Sequence, residues 1–134
     1  MELQLVFEKV AQIIENSVGK PKESIKLDDT LFEEIGIDSI DLVDILFELE
    51  SHFGVELKIS DFESRARSEM NNEPYEINGY LTPQGLTILK QYMTEINPDK
   101  LVEGLTVHQL VKLFTVHSLC KIVIYKLEET NKMN

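Results

Sequence analysis

The sequence predicts an all-α protein, from the spacing of its apolar residues and from its helix-capping residues. Apolar side chains recur at helical spacing over residues 3–16, 39–53, 83–93 and 106–127. Gly19 and Gly54 stand where the first two segments end, and Thr82-Pro83 opens the third. The one alternating stretch, residues 55–59, predicts a short extended segment without an obvious strand to pair with.

The second helix has the most detailed start signal. Asp38 is a preferred N-cap residue, and Asp41 is placed to complete a reciprocal capping box. Gly36 precedes the helix where a backbone with positive φ is a natural need. Upstream, residues 20–37 form a loop whose apolar side chains predict that it lies across the helices and is partly buried.

The second half of the chain is less regular. Residues 63–80 are polar and predict a mobile excursion, and residues 97–104 predict a single helical turn. The segment from Thr106 resembles the segment from Thr115, at an offset of nine residues. Because that offset is about two and a half helical turns, the two copies would face opposite sides of one helix. We expect one helix over residues 106–127, with a break near Thr115 as the alternative.

The chain is acidic: 24 Asp and Glu stand against 13 Lys and Arg, a formal net charge of -11. Such a surface repels nucleic acid and anionic lipid and suits partners that present Lys and Arg, although acidity alone is also explained by solubility. The N-terminus has no basic region followed by an apolar stretch, so neither a signal peptide nor a membrane span is expected.

Cysteine and histidine are scarce. The single cysteine, Cys120, excludes an intrachain disulfide and favours a cytoplasmic location. One Cys and 3 His provide no zinc set without help from carboxylates. The sequence also contains no calcium-binding loop and no glycine-rich phosphate loop.

Ser39 is the candidate functional residue, because it begins an amphipathic helix directly after an aspartate. A phosphodiester on this serine would lie beside the free backbone N–H groups of the first turn, at the positive end of the helix dipole. Asp38 would repel that phosphate, so an aspartate at this position needs a compensating reason. A transferring enzyme that holds a divalent metal and uses this carboxylate would provide one. Taken alone, Asp38-Ser39 is interpreted more simply as a helix cap.

The surrounding window favours the functional interpretation. Residues 36–41, Gly-Ile-Asp-Ser-Ile-Asp, closely resemble the serine motif Leu-Gly-x-Asp-Ser-Leu of acyl carrier proteins. Similar residues of that family stand at further matching positions on both sides: Asp28, Leu31, Ile35, Leu49-Glu50, Phe53-Gly54-Val55-Glu56-Leu57 and Asp61. The resemblance covers about residues 1–62 and returns over residues 99–114.

The resemblance implies an acyl-carrier-like four-helix bundle, in a single carrier domain over residues 1–134. It also implies a 4′-phosphopantetheine arm on Ser39, attached by a phosphopantetheinyl transferase (holo-synthase) that uses coenzyme A and recognises Asp38 with its metal. The thiol of the arm would carry acyl groups as thioesters. The carrier itself would not be an enzyme, so no catalytic side chain and no resident metal are expected.

The acidic face of the second helix suits partner recognition. Asp41, Asp44 and Glu48 lie near Ser39, where they would steer association with basic patches on an acyl ligase or synthase and an acyltransferase. The simpler interpretation is that these charges only solvate the outer face of the helix. Ile40 and Val43 lie off the core stripe and are either apolar partner contacts or core.

Carriers of this family shelter an acyl chain between their helices. Candidate lining residues are Phe7, Leu46, Phe47 and Ile59, and each is also explained as core. The cargo suggested by the acidic second helix is a fatty-acid or specialised lipid or polyketide-like acyl group. The alternatives are an aminoacyl or peptidyl carrier, and a non-loaded carrier-fold interaction module in which Ser39 is only a cap. A monomer is expected, since nothing indicates an obligate dimer.

The chain departs from the family over residues 63–104, which we call the insertion. It includes the predicted helix at 83–93 and is less acidic than the first half. It either enlarges or covers the acyl pocket, or provides a docking surface for one dedicated enzyme.

Overall fold

The fold is taken from a computed structural model, which describes residues 2–58, 60–70 and 73–133. It is mostly helical, as predicted. The helices are α1 (Leu3–Val18), α2 (Ser39–Phe53), α3 (Asp61–Ser68), α4 (Pro83–Tyr92), α5 (Val107–Val111) and α6 (Val116–Met133). Two short antiparallel strands, β1 (Glu76–Ile77) and β2 (Tyr80–Leu81), form a hairpin within the insertion.

The core lies where the long helices α1, α2 and α6 pack together, with α1 in contact with both others. Its fully buried side chains are aliphatic and aromatic: Val6, Val10, Ile14, Leu31, Ile45, Leu49, Leu110, Phe114 and Leu119. Burial of such side chains contributes about 1.5–3 kcal/mol each, so this interior is what holds the candidate functional helix in place. The helical bundle expected from the sequence is confirmed.

The boundaries of α2 are those predicted. The Asp38 side chain accepts a hydrogen bond from the Asp41 N–H at 2.8 Å, and the Asp41 side chain accepts one from the Asp38 N–H at 3.0 Å. This is the predicted capping box. At the other end Gly54 takes a positive φ of 69°, which closes the helix in a conformation that favours glycine.

The loop before α2 is partly buried, as predicted. It contains helical turns at Lys22–Ser24 and Leu31–Ile35, and Ile25 and Ile37 are buried in the core. Gly36 ends the second turn with a φ of 84°, in the left-handed region. The loop is joined to the start of α6 because the Val116 N–H donates to the Asp29 carbonyl at 3.0 Å, and to the residues just before α6 because the Leu31 N–H donates to the Phe114 carbonyl at 2.9 Å.

The prediction of a mobile excursion over residues 63–80 is wrong for the described part of that range; residues 71 and 72 lie outside the described residues. Residues 61–68 form α3, and residues 76–81 form the hairpin, whose turn residues Asn78 and Gly79 both have positive φ. The segment is polar overall, but it contains three buried side chains, those of Ala66, Met70 and Tyr75. These buried side chains pack the segment against the rest of the protein.

Tyr75 gives a prediction about stability. Its ring is buried beneath the Arg67 guanidinium, 5.2 Å from the ring centroid, and burial raises the pKa of its phenol well above the ordinary value. Within the described chain, its hydroxyl has no hydrogen-bond partner. We expect Tyr75→Phe to keep the ring packing and to raise the free energy of unfolding by about 1 kcal/mol, measured by urea denaturation.

The control for Tyr75→Phe is Thr82→Val. The Thr82 hydroxyl donates to the Pro74 carbonyl at 2.7 Å and accepts from the Gly85 N–H at 3.0 Å. Its removal should lower stability by about 1–2 kcal/mol. A comparable loss of stability in Tyr75→Phe would contradict the interpretation that the Tyr75 hydroxyl makes no stabilising hydrogen bond.

The prediction of one helix over residues 106–127 is also wrong, and the alternative break near Thr115 is correct. Thr106 caps α5 by accepting from the Gln109 N–H at 3.0 Å. Thr115 accepts from the Ser118 N–H at 3.2 Å, at the start of α6. The nine-residue repeat therefore marks two helix starts, each with its own threonine cap.

The alternating stretch after α2 forms no strand over its described residues 55–58; Ile59 lies outside the described residues. Val55 and Leu57 are nevertheless buried, and the Leu57 N–H donates to the Glu50 carboxylate at 2.9 Å. Of the helices in the described ranges, none has the length and apolar character needed to span a membrane.

Candidate functional site: the start of helix α2

The site is centred on Ser39, the first residue of α2. The side chain is exposed, and no hydrogen bond joins its hydroxyl to another described residue. The helix also leaves the backbone N–H groups of Ser39 and Ile40 without acceptors, because no earlier turn supplies carbonyls. These donors and the helix dipole fit a phosphodiester on this hydroxyl. The residues present therefore fit a covalently attached phosphate group.

Asp38 uses only one of its two carboxylate oxygens in the hydrogen bonds of the described residues. Its Oδ1 is used in the capping bond to Asp41, which fixes the start of the helix and so the position of Ser39. No described residue bonds its Oδ2, and the side chain is exposed. Among the residues that the structure describes, no three acidic, histidine or cysteine side chains are grouped to hold a metal.

The open question about Ile40 and Val43 is settled by their exposure. Ile40 is 72% exposed and Val43 is 65% exposed, so neither belongs to the core. Phe47, which the sequence suggests as a pocket-lining or core residue, is 67% exposed and lies one turn further on the same face. These three side chains form an apolar stripe on α2 that starts beside Ser39.

Acidic side chains border this stripe. Asp44 and Glu48 are exposed, and Asp41 is partly exposed. Among the ion pairs of the described residues, none involves Asp38, Asp41, Asp44 or Glu48. Their negative potential is therefore not neutralised within the described chain, as an electrostatic docking surface requires.

The remaining candidates do not join this site. Cys120 is buried in α6, and burial raises the pKa of its thiol to about 12, so it is not a reactive thiolate near neutral pH. Leu46 is buried in the hydrophobic core, and Phe7 is partly buried and packs against that core. Ile59 lies outside the described residues.

Comparison with known proteins gives a family. The sequence profile described as "Phosphopantetheine attachment site" matches residues 8–68, a range that includes all of α2. Curated relatives named "Acyl carrier protein" also match the chain at moderate identity.

Three of these relatives show the extent of the similarity. The acyl carrier protein of Lactococcus lactis subsp. cremoris is 48% identical over 52 residues, which are 39% of this chain and 70% of that protein. That of Campylobacter hominis is 33% identical over 58 residues, 43% of this chain and 73% of that protein. That of Thermotoga maritima is 36% identical over 58 residues, 43% of this chain and 72% of that protein. The chain therefore belongs to the acyl carrier protein family, whose members carry a phosphopantetheine group and are carriers, not catalysts.

Proposed function

We propose that Ser39 is the attachment residue for 4′-phosphopantetheine and that this chain carries acyl groups as thioesters on that arm. The observation that carries the proposal is the exposed, unbonded Ser39 hydroxyl at the first position of a capped helix. When bound, the group supplies a mobile thiol for thioester formation. The protein holds the point of attachment rigid and presents it to solvent.

Asp38 contributes to attachment in two ways. Its capping bond holds Ser39 at the helix start, and its open carboxylate oxygen is the group that a transferase-held metal ion can approach. This support is geometric, because the capping bond uses one carboxylate oxygen of Asp38 and leaves the other open to solvent. The metal belongs to the transferase complex and not to this chain.

The exposed face of α2 is the proposed partner surface. Ile40, Val43 and Phe47 provide apolar contact area, and Asp41, Asp44 and Glu48 provide negative charge. An enzyme with a basic, partly apolar patch fits this face, which suits a phosphopantetheinyl transferase, an acyl ligase or synthase, and an acyltransferase. Steering by charge gives fast encounters with modest affinity, as a carrier that visits several enzymes needs.

The cargo we propose is a fatty or other aliphatic acyl group, for lipid or polyketide-like biosynthesis, in preference to an aminoacyl or peptidyl group. It is supported by the names of the similar proteins. The second candidate function is a carrier-fold interaction module that is never loaded. The capping box favours it, since Asp38 and Asp41 fully explain the helix start without a prosthetic group.

Intact-mass measurement separates these functions. The protein is incubated with coenzyme A, magnesium and a broad-specificity phosphopantetheinyl transferase. We expect one phosphopantetheine adduct, complete loss of the adduct in Ser39→Ala, and normal loading of Ser51→Ala, which removes another exposed hydroxyl from α2. A folded protein that takes no adduct, or a Ser39→Ala variant that still does, would refute the proposed attachment.

A further inference from the structure

A half-open cleft, which we call the loop–insertion cleft, lies between the loop that precedes α2 and the insertion. The loop contributes Asp28, Thr30 and Glu34 to one wall, and the insertion contributes Ile96, Asn97 and Lys100 to the other. The cleft has a volume of about 230 Å³. Because a water molecule occupies about 30 Å³ in the liquid, this volume has room for part of a flexible molecule. One wall belongs to the insertion, so the cleft depends on it.

The cleft lies close to Ser39. The Ile37 N–H donates to the Leu31 carbonyl at 3.0 Å, which folds the loop back on itself. Leu31 directly follows Thr30, which is part of the cleft wall. Ser39 is two residues beyond Ile37, at most about 7 Å along an extended chain. A flexible group attached to the Ser39 hydroxyl therefore begins near the cleft.

The insertion wall of the cleft is anchored to α6. The Glu95 carboxylate accepts from the Lys121 ammonium at 2.7 Å and from the Ser118 hydroxyl at 2.6 Å. The next residue, Ile96, is buried in the core. Because both oxygens of Glu95 have partners, this carboxylate adds little uncompensated charge to the cleft. The wall is held in place before a ligand arrives, which lowers the cost of binding.

Polar groups on both walls have hydrogen-bonding capacity that the described residues do not use. The Asn97 Oδ1 accepts from the Asp99 N–H at 3.0 Å, but no described residue accepts from the Asn97 side-chain amide. The Lys100 ammonium forms no ion pair with a described residue. On the loop wall, Glu34 uses Oε1 for its bonds with Thr30 and leaves Oε2 open. The cleft therefore offers donors on one wall and a carboxylate acceptor on the other.

These groups match the chemistry of a pantetheine chain. Beyond its phosphate that chain is uncharged, and it carries amide groups, a hydroxyl and geminal methyl groups. The donors of Asn97 and Lys100 suit its carbonyl oxygens, and the open oxygen of Glu34 suits its N–H groups. Ile96 and Leu113 provide apolar contact for its methyl groups. A mixed polar and apolar cleft fits this chain better than it fits a plain hydrocarbon.

We infer that the loop–insertion cleft is a resting site for the 4′-phosphopantetheine arm, an inference that rests on the proposed function. The phosphate stays at the start of α2, and the uncharged part of the arm lies in the cleft. The insertion then serves to restrain the arm between visits to enzymes. Because the cleft is half open, a partner enzyme can withdraw the arm without unfolding any element.

Isotope-filtered NMR tests the inference on the loaded protein. The transferase attaches an unlabelled arm from coenzyme A to isotope-labelled protein. We expect nuclear Overhauser contacts between the methyl groups of the arm and the side chains of Ile96 and Leu113, and none with Ile88 of α4, which does not line the cleft. The side-chain amide signals of Asn97 should also move on loading, whereas those of Asn78 in the hairpin turn should not.

Two conservative substitutions remove the donors of the insertion wall. Asn97→Asp keeps the capping oxygen and removes the side-chain N–H groups, and Lys100→Met keeps most of the hydrocarbon stem and removes the ammonium. Loss of one hydrogen bond should lower the ratio of docked to free arm about fivefold, which weakens the contacts between arm and protein. Asn16→Asp and Lys90→Met make the same changes outside the cleft and should leave those contacts unchanged.

The possible outcomes separate this inference from the proposed function. A loaded protein whose arm shows none of these contacts would overturn the inference and leave the proposed attachment intact. Contacts that persist at full strength in both donor variants would also overturn it, because the polar groups of the cleft would then have no part in docking. A protein that takes no adduct would overturn the proposed function and the inference together.

Discussion

Replacement of Lys121 by methionine is expected to lower the free energy of unfolding by about 3 kcal/mol. The Lys121 ammonium lies 2.7 Å from the Glu95 carboxylate, 3.0 Å from the Tyr92 carbonyl and 3.2 Å from the Thr94 hydroxyl. The Glu95 side chain is only 3% exposed. Removing the cation leaves this carboxylate buried with Ser118 as its remaining partner, and an uncompensated buried charge is costly. Urea denaturation followed by far-UV circular dichroism measures the loss.

The control for this prediction is Lys126→Met. Lys126 is also on α6 and pairs with Asp61, but at 3.9 Å. That longer contact should contribute less than about 1 kcal/mol. If both variants lose the same small amount of stability, the Glu95–Lys121 pair does not hold the insertion to the bundle.

Reversal of two charges on α2 is expected to slow loading by the transferase about tenfold or more. Asp44→Lys with Glu48→Lys replaces attraction by repulsion at a surface where no described residue neutralises the carboxylates. Both side chains are exposed, so the unfolding free energy should change little. The value of kcat/KM for coenzyme A-dependent loading, measured at several salt concentrations, reports the effect.

A second double variant tests whether the position of the reversed charges matters, or only the change in net charge. Glu8→Lys with Glu128→Lys makes the same change in charge at exposed positions on α1 and α6. We expect its kcat/KM to stay within about threefold of the wild-type value at moderate salt, because distant exposed charges are screened. Equal losses in the two double variants would contradict a docking role for the acidic face of α2.

Local sequence signals were sufficient for the candidate site. Asp38, Asp41 and Gly54 define α2 through short-range rules, since a capping box and a left-handed C-terminal glycine depend on residues near each other in the chain. The site is a feature of one helix start, so a correct helix boundary gives most of it. What remained open was exposure: the sequence did not decide whether Val43 and Phe47 face the core or the solvent.

The structure of the insertion was less predictable, because it depends on contacts between residues that are far apart in the sequence. Lys121 lies 26 residues from Glu95, and no local rule pairs them. One local signal was overlooked: Asn78-Gly79 between Ile77 and Tyr80 is typical of a tight hairpin turn. The break before Val116 was also available, because Thr115 begins a second copy of a capped segment.

The proposal that the chain bears an acyl thioester on an arm at Ser39 can be checked on the protein from its native cells. The full-length protein is isolated from the cells that make it, and its intact mass is measured before and after treatment with neutral hydroxylamine, which cleaves thioesters. We expect a mass above that of the phosphopantetheine-bearing protein before treatment and a fall to that mass after it. Peptide mapping should locate the arm on Ser39. Isolation of the protein with an unmodified Ser39 would contradict it.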